Sequence, residues 1–440
     1  MKLNREIGLA GGIALVVGGV IGMGAFVLIP LICSKAGGAA WLSISVAMVL
    51  SLVSVFPLIQ LASAIPVAGA GFEYGRRLIS TRVGVLLSWW SIIGGAAGLA
   101  LVAYGLVESF ATYLPAWANL HLVALALILL FYLVYLSGVK ILAVLQIVLS
   151  VQMLLAIFLY AFPVMAEYGG NATFTLPQNS NFLMAIILSF NICLGLQIII
   201  ELGEEMKSPE KNIPLSLVIG SGIILFLYLI IMVAYSGIVG ADKLESRPDL
   251  VLTAGTLLPG WAILFIRMGI ISAALTSFNG AAIAIPREIF GLARAGIMPA
   301  AYAKINDKGN PQYAISLFFA ITCLIFLAGY GLEKAGILGE LFGKDIIEFY
   351  GFVTIMGIML LTLGISIAAW RLPKVLPDSY AKSYIRFSPR WLQFFVIVSI
   401  ATSLFLIILV STKWLIPAIY TIVTATVLLA FKKHFKTAEL

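Results

Sequence analysis

Long apolar runs, separated by short polar stretches, repeat along the whole chain. A helix that crosses the hydrocarbon layer needs about 20 mostly apolar residues. Twelve runs meet that length, at about 7–34, 40–65, 83–113, 121–138, 141–163, 181–201, 214–239, 258–286, 312–330, 347–370, 391–411 and 414–431. They are continuous, whereas the strands of an outer-membrane barrel alternate. The pattern therefore predicts an all-α integral membrane protein with twelve spans. The first run, Ile7 to Cys33, is too long for a signal peptide and has no small-x-small cleavage site.

Composition sharpens this reading. Of 440 residues, 62% are hydrophobic and only 10% charged. That excludes a soluble globular enzyme, a disordered chain and a collagen-like repeat. The net charge of +8 comes from 27 Lys and Arg against 19 Asp and Glu. With a cytoplasmic N-terminus, 20 of the 27 fall in inner loops and 6 in outer ones, leaving Arg267 within a span. This bias orients the protein with both termini cytoplasmic, as expected at the cell membrane, and removes any need to invoke nucleic acid. Cys33, Cys193 and Cys323 lie in apolar stretches and form no CxxC pair. His121 and His434 are far apart at segment ends, so no metal site is expected. The loops are too short for a soluble domain, and the spans themselves must carry the function.

Two spans look interrupted. Span 1 holds Gly18-Gly19-Val20-Ile21-Gly22-Met23-Gly24, four glycines in seven residues. An unwound segment at membrane depth is tolerated only around a cavity. The half-helix beginning near Met23 would then offer free N–H groups and a positive dipole end to an anion such as a carboxylate. The alternative is a close helix contact, for which Gly18-x-x-x-Gly22 has the spacing. Span 6 reads Ser189-Phe190-Asn191-Ile192-Cys193-Leu194-Gly195-Leu196-Gln197, with one glycine and two amides in an apolar run. Interruptions at corresponding places in two halves of a chain point to a transporter site.

These segments resemble the amino acid–polyamine–organocation (APC) superfamily. Gly22-Met23-Gly24-Ala25-Phe26 is similar to its GxGxF motif. Pro66-Val67-Ala68-Gly69-Ala70-Gly71-Phe72-Glu73-Tyr74 is similar to its Pro-x-(Ser/Ala)-Gly-Gly-x-x-x-Tyr segment, with one departure in the glycine pair. Glu204-Glu205-Met206-Lys207-Ser208-Pro209 through Pro214 is close to its Glu-Glu-x-Lys-x-Pro-x-x-x-x-Pro. Arg287 with Ala293-Arg294-Ala295-Gly296-Ile297-Met298-Pro299 resembles a further motif, with Ala295 where Asp is usual.

The resemblance implies a LeuT-type fold. Residues 7–163 and 181–370 would form two five-helix inverted repeats, followed by two C-terminal helices at 391–431. It implies alternating access around a midplane site. The substrate carboxylate would sit on Gly22, Met23 and Gly24, and the amino group on Val20, Asn191, Ile192 and Leu194. Many members carry an aromatic cap and an acidic residue just after Gly195, where this chain has Leu196 and Gln197. The wall of Met23, Cys193 and Leu196, faced by Gly94, Gly95 and Gly98, favours neutral and mainly aliphatic amino acids.

Coupling is read from three further positions. Some members without sodium coupling carry a lysine in span 5, but that position here is Met153, after the matching Gly138-Val139-Lys140 and Gln146. Thr276 and Ser277, with the carbonyl of Gly19, could supply oxygens to sodium, or could simply bond to backbone. No cofactor is expected, and exchange is favoured over sodium or proton coupling because no midplane carboxylate is present. The alternative is an ion-coupled carrier of another organic amine, cation or nucleobase on the same fold. The expected partners are an amino acid substrate and the bilayer, and no motif speaks to an accessory subunit. Glu108 and Arg267, at similar depth, suggest a charge pair. Glu201, Glu204 and Glu205 read as an inner-gate or loop-anchoring cluster with the nearby lysines.

Overall fold

A computed structural model describes residues 5–22, 24–111, 114–115, 117–136, 139–177, 181–240, 243–244, 250–306, 309–342 and 346–432. Among these the protein is all-helical. Its helices are α1 (Leu9–Ile21), α2 (Gly24–Ala36), α3 (Ala40–Ala64), α4 (Ala70–Leu78), α5 (Thr81–Ser109), α6 (Leu120–Tyr135), α7 (Val139–Tyr168), α8 (Phe182–Ile192) and α9 (Pro209–Val239). They continue as α10 (Leu250–Ala254), α11 (Gly260–Ala284), α12 (Pro286–Arg294), α13 (Gln312–Lys334), α14 (Ile337–Phe342), α15 (Ile346–Val375), α16 (Pro377–Lys382), α17 (Pro389–Val410) and α18 (Leu415–Ala430). Among the described residues, eight helical stretches are long and apolar enough to cross a membrane, and α1, α6 and α18 are shorter apolar helices.

Local chemistry sets several of the ends. The Ser80 hydroxyl accepts from Val83 N at 3.3 Å at the start of α5, and the Asn119 side chain accepts from His121 N and Leu122 N at the start of α6. Proline opens α9, α12, α16 and α17, where its missing N–H costs nothing. Outward faces stay apolar: Leu130, Leu133, Val148, Val151, Phe405 and Ile408 are all exposed. In water that surface would drive aggregation, whereas beside lipid tails it is the expected covering. The chain is thus a multi-pass membrane protein.

Small residues let the long helices cross closely. A Cβ added at Gly94 on α5 would lie 3.1 Å from the Cα of Gly357 on α15. Gly269 on α11 likewise fits against Ala156 on α7. The expectation that Gly94, Gly95 and Gly98 line a pocket is corrected here. Gly94 and Gly98 meet α15 at Gly357 and Thr354, and Gly95 meets Ile285. A glycine in a membrane helix reads the same way from sequence whether it faces a void or a neighbour.

One face carries a polar layer between the helix ends. Arg287 on α12 grips Glu205 in a two-pronged pair, Nε to Oε1 at 2.7 Å and Nη2 to Oε2 at 3.1 Å. Both side chains are buried, at 1% and 2% exposure. Arg287 also donates to the Ile283 carbonyl. The Glu205 carbonyl accepts from Glu6 N and Ile7 N, and Lys207 N donates to Ile7 O at 2.8 Å. Arg294 pairs with Glu204, whose carboxylate also accepts from Ala68 N. Glu204 and Glu205 do anchor the loop after α8, but their partners are the arginines of α12, not nearby lysines. The Glu201 side chain lies outside the described residues.

Glu288, fully buried, caps α4. It accepts from Gly71 N at 2.7 Å, Phe72 N at 3.0 Å and Ser88 Oγ at 2.5 Å. On the opposite ends of the bundle, His121 Nε2 of α6 lies 2.6 Å from Glu333 Oε2 of α13. Glu108 is exposed at the end of α5 and Arg267 half-buried on α11, two helices that pack together.

Arg287→Leu alone leaves the Glu205 carboxylate buried without its partner, an expected loss of about 3–5 kcal/mol. The double Arg287→Leu/Glu205→Leu is expected to melt above the single variant, because no charge is stranded. Thermal unfolding in detergent measures both. A double variant that melts lower than either single one contradicts the pairing. Glu288→Ala strands two backbone N–H groups and a hydroxyl, and is expected to cost about 3 kcal/mol or more. An unchanged melting temperature contradicts that cap.

Candidate functional site

Both interrupted spans are broken in the structure. α1 stops at Ile21, and Gly22 follows with φ 42° and ψ −168°. An L-residue resists that positive φ, and a Cβ at Gly22 would run into Ser277 Oγ. Met23 lies outside the described residues. α2 begins at Gly24, so the N–H groups of Gly24, Ala25 and Phe26 open a 13-residue helix with no intrahelical partner. Gly24 is partly exposed, and a Cβ there would sit 3.5 Å from Ile192 Cγ2. The first break therefore abuts the second.

α8 ends at Ile192 in a turn, with Cys193 N donating to Phe190 O at 3.0 Å and Leu194 N to Asn191 O at 3.2 Å. Gly195 then takes φ 108°, and a 3-10 segment, Leu196–Glu201, carries the chain onward. A Cβ on Gly195 would lie 3.2 Å from the Gly19 carbonyl of α1. Positive φ and lack of space thus both require glycine here.

The two breaks are tied together by Tyr228 of α9, which is fully buried. Its hydroxyl lies 2.6 Å from Ile192 O and 3.2 Å from Val20 O, as donor to these carbonyls. One carbonyl from each broken helix therefore points at the same place. Val20 and Ile192 were both expected to meet a substrate amino group, and the structure brings them together. Tyr228 was missed in the sequence, where a tyrosine in a long apolar run carries no distinguishing signal.

The hydroxyl pair separates. Ser277 Oγ donates to Gly18 O and Gly19 O, each at 3.3 Å, reaching across to the break. Thr276 Oγ1 instead donates to Ala273 O at 2.9 Å within its own helix. Gly18 also packs tightly, since a Cβ there would meet Gln146, Ser150 and Thr276. Span 1 thus uses one glycine for close contact and another for the break. Met153 is buried among apolar neighbours. Among the described residues no group of three or more His, Cys, Asp and Glu could hold a metal.

The remaining positions form an apolar surround. Ile192, Cys193 and Leu196 are almost fully buried, while Asn191 and Leu194 are half-buried. The Gln197 side chain lies outside the described residues. The arrangement offers free N–H groups at one helix start and paired carbonyls at two helix ends, with neutral walls. Opposite helix ends of this kind suit groups of opposite charge.

Comparison with known proteins agrees with that geometry. A family model described as "Amino acid permease" matches residues 7–343. An uncharacterized transporter of Mycobacterium tuberculosis is 27% identical over 325 residues, 72% of each chain. The vacuolar cationic amino acid transporter 4 of Arabidopsis thaliana is 24% identical over 359 residues, 76% of this chain and 60% of its own. The human large neutral amino acids transporter small subunit 2 is 23% identical over 394 residues, 85% of this chain and 72% of its own. The family match takes in both broken helices and the polar layer beneath them, and on that match this chain belongs to the amino acid permease family.

Proposed function

We propose that this amino acid transporter carries neutral, mainly aliphatic L-amino acids by alternating access, with the substrate held between the breaks after α1 and α8. The observation that carries this reading is the convergence of the Val20 and Ile192 carbonyls on one point, beside the start of α2. The C-terminal ends of α1 and α8 are the negative ends of their dipoles and suit an ammonium group. The N-terminal end of α2 is a positive end and suits a carboxylate. An α-amino acid head group presents one of each. Gly22, Met23 and Gly24 take the carboxylate; Val20, Asn191, Ile192 and Leu194 take the amino group. Tyr228 holds the two carbonyls in register until the substrate arrives.

The side-chain preference rests on the walls. Cys193, Gly195 and Leu196 supply no charge. The relatives' names divide between cationic and large neutral amino acids, and a cationic side chain would need an acidic partner that these walls do not supply.

The frame we propose is a LeuT-type bundle of twelve spans, with the N-terminus cytoplasmic. α1 with α2 forms span 1, and α8 with the 3-10 segment forms span 6. α3, α5, α6 and α7 are spans 2 to 5; α9, α11, α13 and α15 are spans 7 to 10; α17 and α18 complete the set. An inverted repeat over 7–163 and 181–370 relates the α5–α15 crossing to the α11–α7 crossing. Both pairs pack extensively, and each uses a glycine at the contact. It likewise relates α1–α9 to α8–α3, which are also packed pairs. The polar layer of Glu205 and Arg287 then lies on the cytoplasmic side and closes the inner mouth.

Exchange is the transport mode favoured here, since Ser277 and backbone carbonyls are all neutral. A sodium-coupled mode is the second reading, because the Ser277 hydroxyl already stands with the Gly18 and Gly19 carbonyls. Uptake of labelled leucine into proteoliposomes separates them. Exchange predicts accumulation only when unlabelled leucine is preloaded. Accumulation driven by a sodium gradient into empty vesicles, and lost in Ser277→Ala, contradicts exchange.

Gly24→Val places a branched side chain where the carboxylate approaches, and is expected to reduce binding at least tenfold with near-normal expression. Gly24→Ala is expected to be milder, because its Cβ meets Ile192 at an ordinary 3.5 Å. Unchanged affinity in Gly24→Val contradicts the carboxylate site. Tyr228→Phe removes a hydrogen bond worth about 1 kcal/mol, so transport is expected to fall roughly fivefold in a folded protein. Leu196→Trp is expected to reject leucine while keeping alanine and glycine; a specificity unaltered by side-chain size shows that Leu196 does not face the substrate.

A further inference from the structure

A chain of neutral polar side chains runs through the apolar bundle and ends on the first broken helix. Asn310, in the loop before α13, donates Nδ2 to the Tyr135 carbonyl at 3.4 Å. The Tyr135 hydroxyl donates to Asn279 Oδ1 at 2.7 Å. Asn279 Nδ2 donates to Gln146 Oε1 at 2.6 Å. Gln146 Nε2 donates to the Ala14 carbonyl of α1 at 3.3 Å, where Ser150 Oγ also lies at 3.4 Å. Every side chain in the series is buried. Each linkage passes its donor to the next acceptor, so the series has one direction.

Its placement separates two kinds of element. Asn279 and Gln146 stand inside the continuous helices α11 and α7, Tyr135 is the last residue of α6, and Asn310 lies in the loop before α13. Ala14 stands on α1, the half-helix that ends at the left-handed Gly22. At the Asn310 end, Asn306 and Asn310 exchange two hydrogen bonds, each of 2.9 Å. In an apolar interior an amide that loses its partner is left with unmet hydrogen-bonding capacity, so a complete series holds its members in place.

We propose that Gln146 and Asn279 are positioning residues that latch α1 to the unbroken helices, so that the Gln146–Ala14 bond is released and remade when α1 swings about Gly22. This rests on the reading of the α1 and α8 breaks as the substrate site. The latch holds no charge, so it closes without a bound cation or proton. Met153, one turn beyond Ser150 on α7, is apolar and leaves the holding of α1 to the amide and the hydroxyl.

The test reads the position of α1 without requiring transport. Cys193, at the second break, is 2% exposed and reports opening of the site. In a Cys33→Ala/Cys323→Ala background, its modification by a charged methanethiosulfonate reagent is timed on purified protein in detergent, without substrate. Gln146→Leu and Asn279→Leu are each expected to speed labelling at least fivefold. The double variant is expected to label no faster than the faster single one, because both cut the same series. Gln146→Glu is expected to label slowly at low pH, where its protonated carboxyl donates to Ala14 O, and fast at high pH. Labelling in the background protein is expected to change only with reagent chemistry, measured on a free thiol.

Two results overturn the latch. One is a Gln146→Leu protein with an unchanged melting temperature and background labelling rate. The other is Gln146→Glu labelling at one rate, relative to the free thiol, across the pH range. If Gln146→Leu does not fold, the pH series on Gln146→Glu decides. A failure of amino acid uptake with these labelling results intact counts against the substrate reading and not against the latch.

Discussion

A helix that ends inside an apolar bundle leaves carbonyl and N–H groups with no water to satisfy them. This constraint shapes the rest of the molecule. α1 and α8 both end this way, and their ends face each other. The Tyr228 and Ser277 hydroxyls take up carbonyls in or beside these breaks, and the Gln146 amide takes up the Ala14 carbonyl about two turns earlier on α1. The groups left over, the first N–H groups of α2 above all, are what a polar substrate can use.

The surrounding helices make the breaks affordable by packing them between long, closely crossing neighbours. α5 with α15 and α7 with α11 cross through small residues. α4 and α12 close one face through Glu288, Glu205 and Arg287, all buried. The buried carboxylates Glu205 and Glu288 stand at this bundle end with fixed donors, whereas Arg267 lies within α11. The uncharged walls of the proposed site, Cys193, Gly195 and Leu196, suit a zwitterion bound by backbone groups. Its net charge is zero, so no compensating ion is needed to carry it across the hydrocarbon layer.

How much was legible varies with the kind of residue. The helical class and the first break were visible, because four glycines between Gly18 and Gly24 are hard to reconcile with an uninterrupted membrane helix. The second break was fainter, resting on Gly195, and became persuasive only by its correspondence with the first. Tyr228 was invisible, since only tertiary packing turns its hydroxyl toward two carbonyls. Glu204 and Glu205 could be placed at a helix end, yet their choice of Arg294 and Arg287 over nearby lysines depends on how α12 docks. Gly94, Gly95 and Gly98 were misplaced because close packing and a cavity both favour glycine. Thr276 and Ser277 are adjacent, but a helix turns successive side chains about 100° apart, so Ser277 gives its hydroxyl to the Gly18 and Gly19 carbonyls while Thr276 packs against Gly18 and bonds within its own helix.

The central claim is that the breaks recognise the amino acid head group through opposite helix ends. Calorimetric titration of the purified protein with leucine, leucinamide and 4-methylpentanoic acid tests it most directly. The three share a side chain and differ in the head group: both charges, no carboxylate, and no amino group. The account predicts binding of leucine and at least a hundredfold weaker binding of the other two. Binding of either analogue with the affinity of leucine would contradict it.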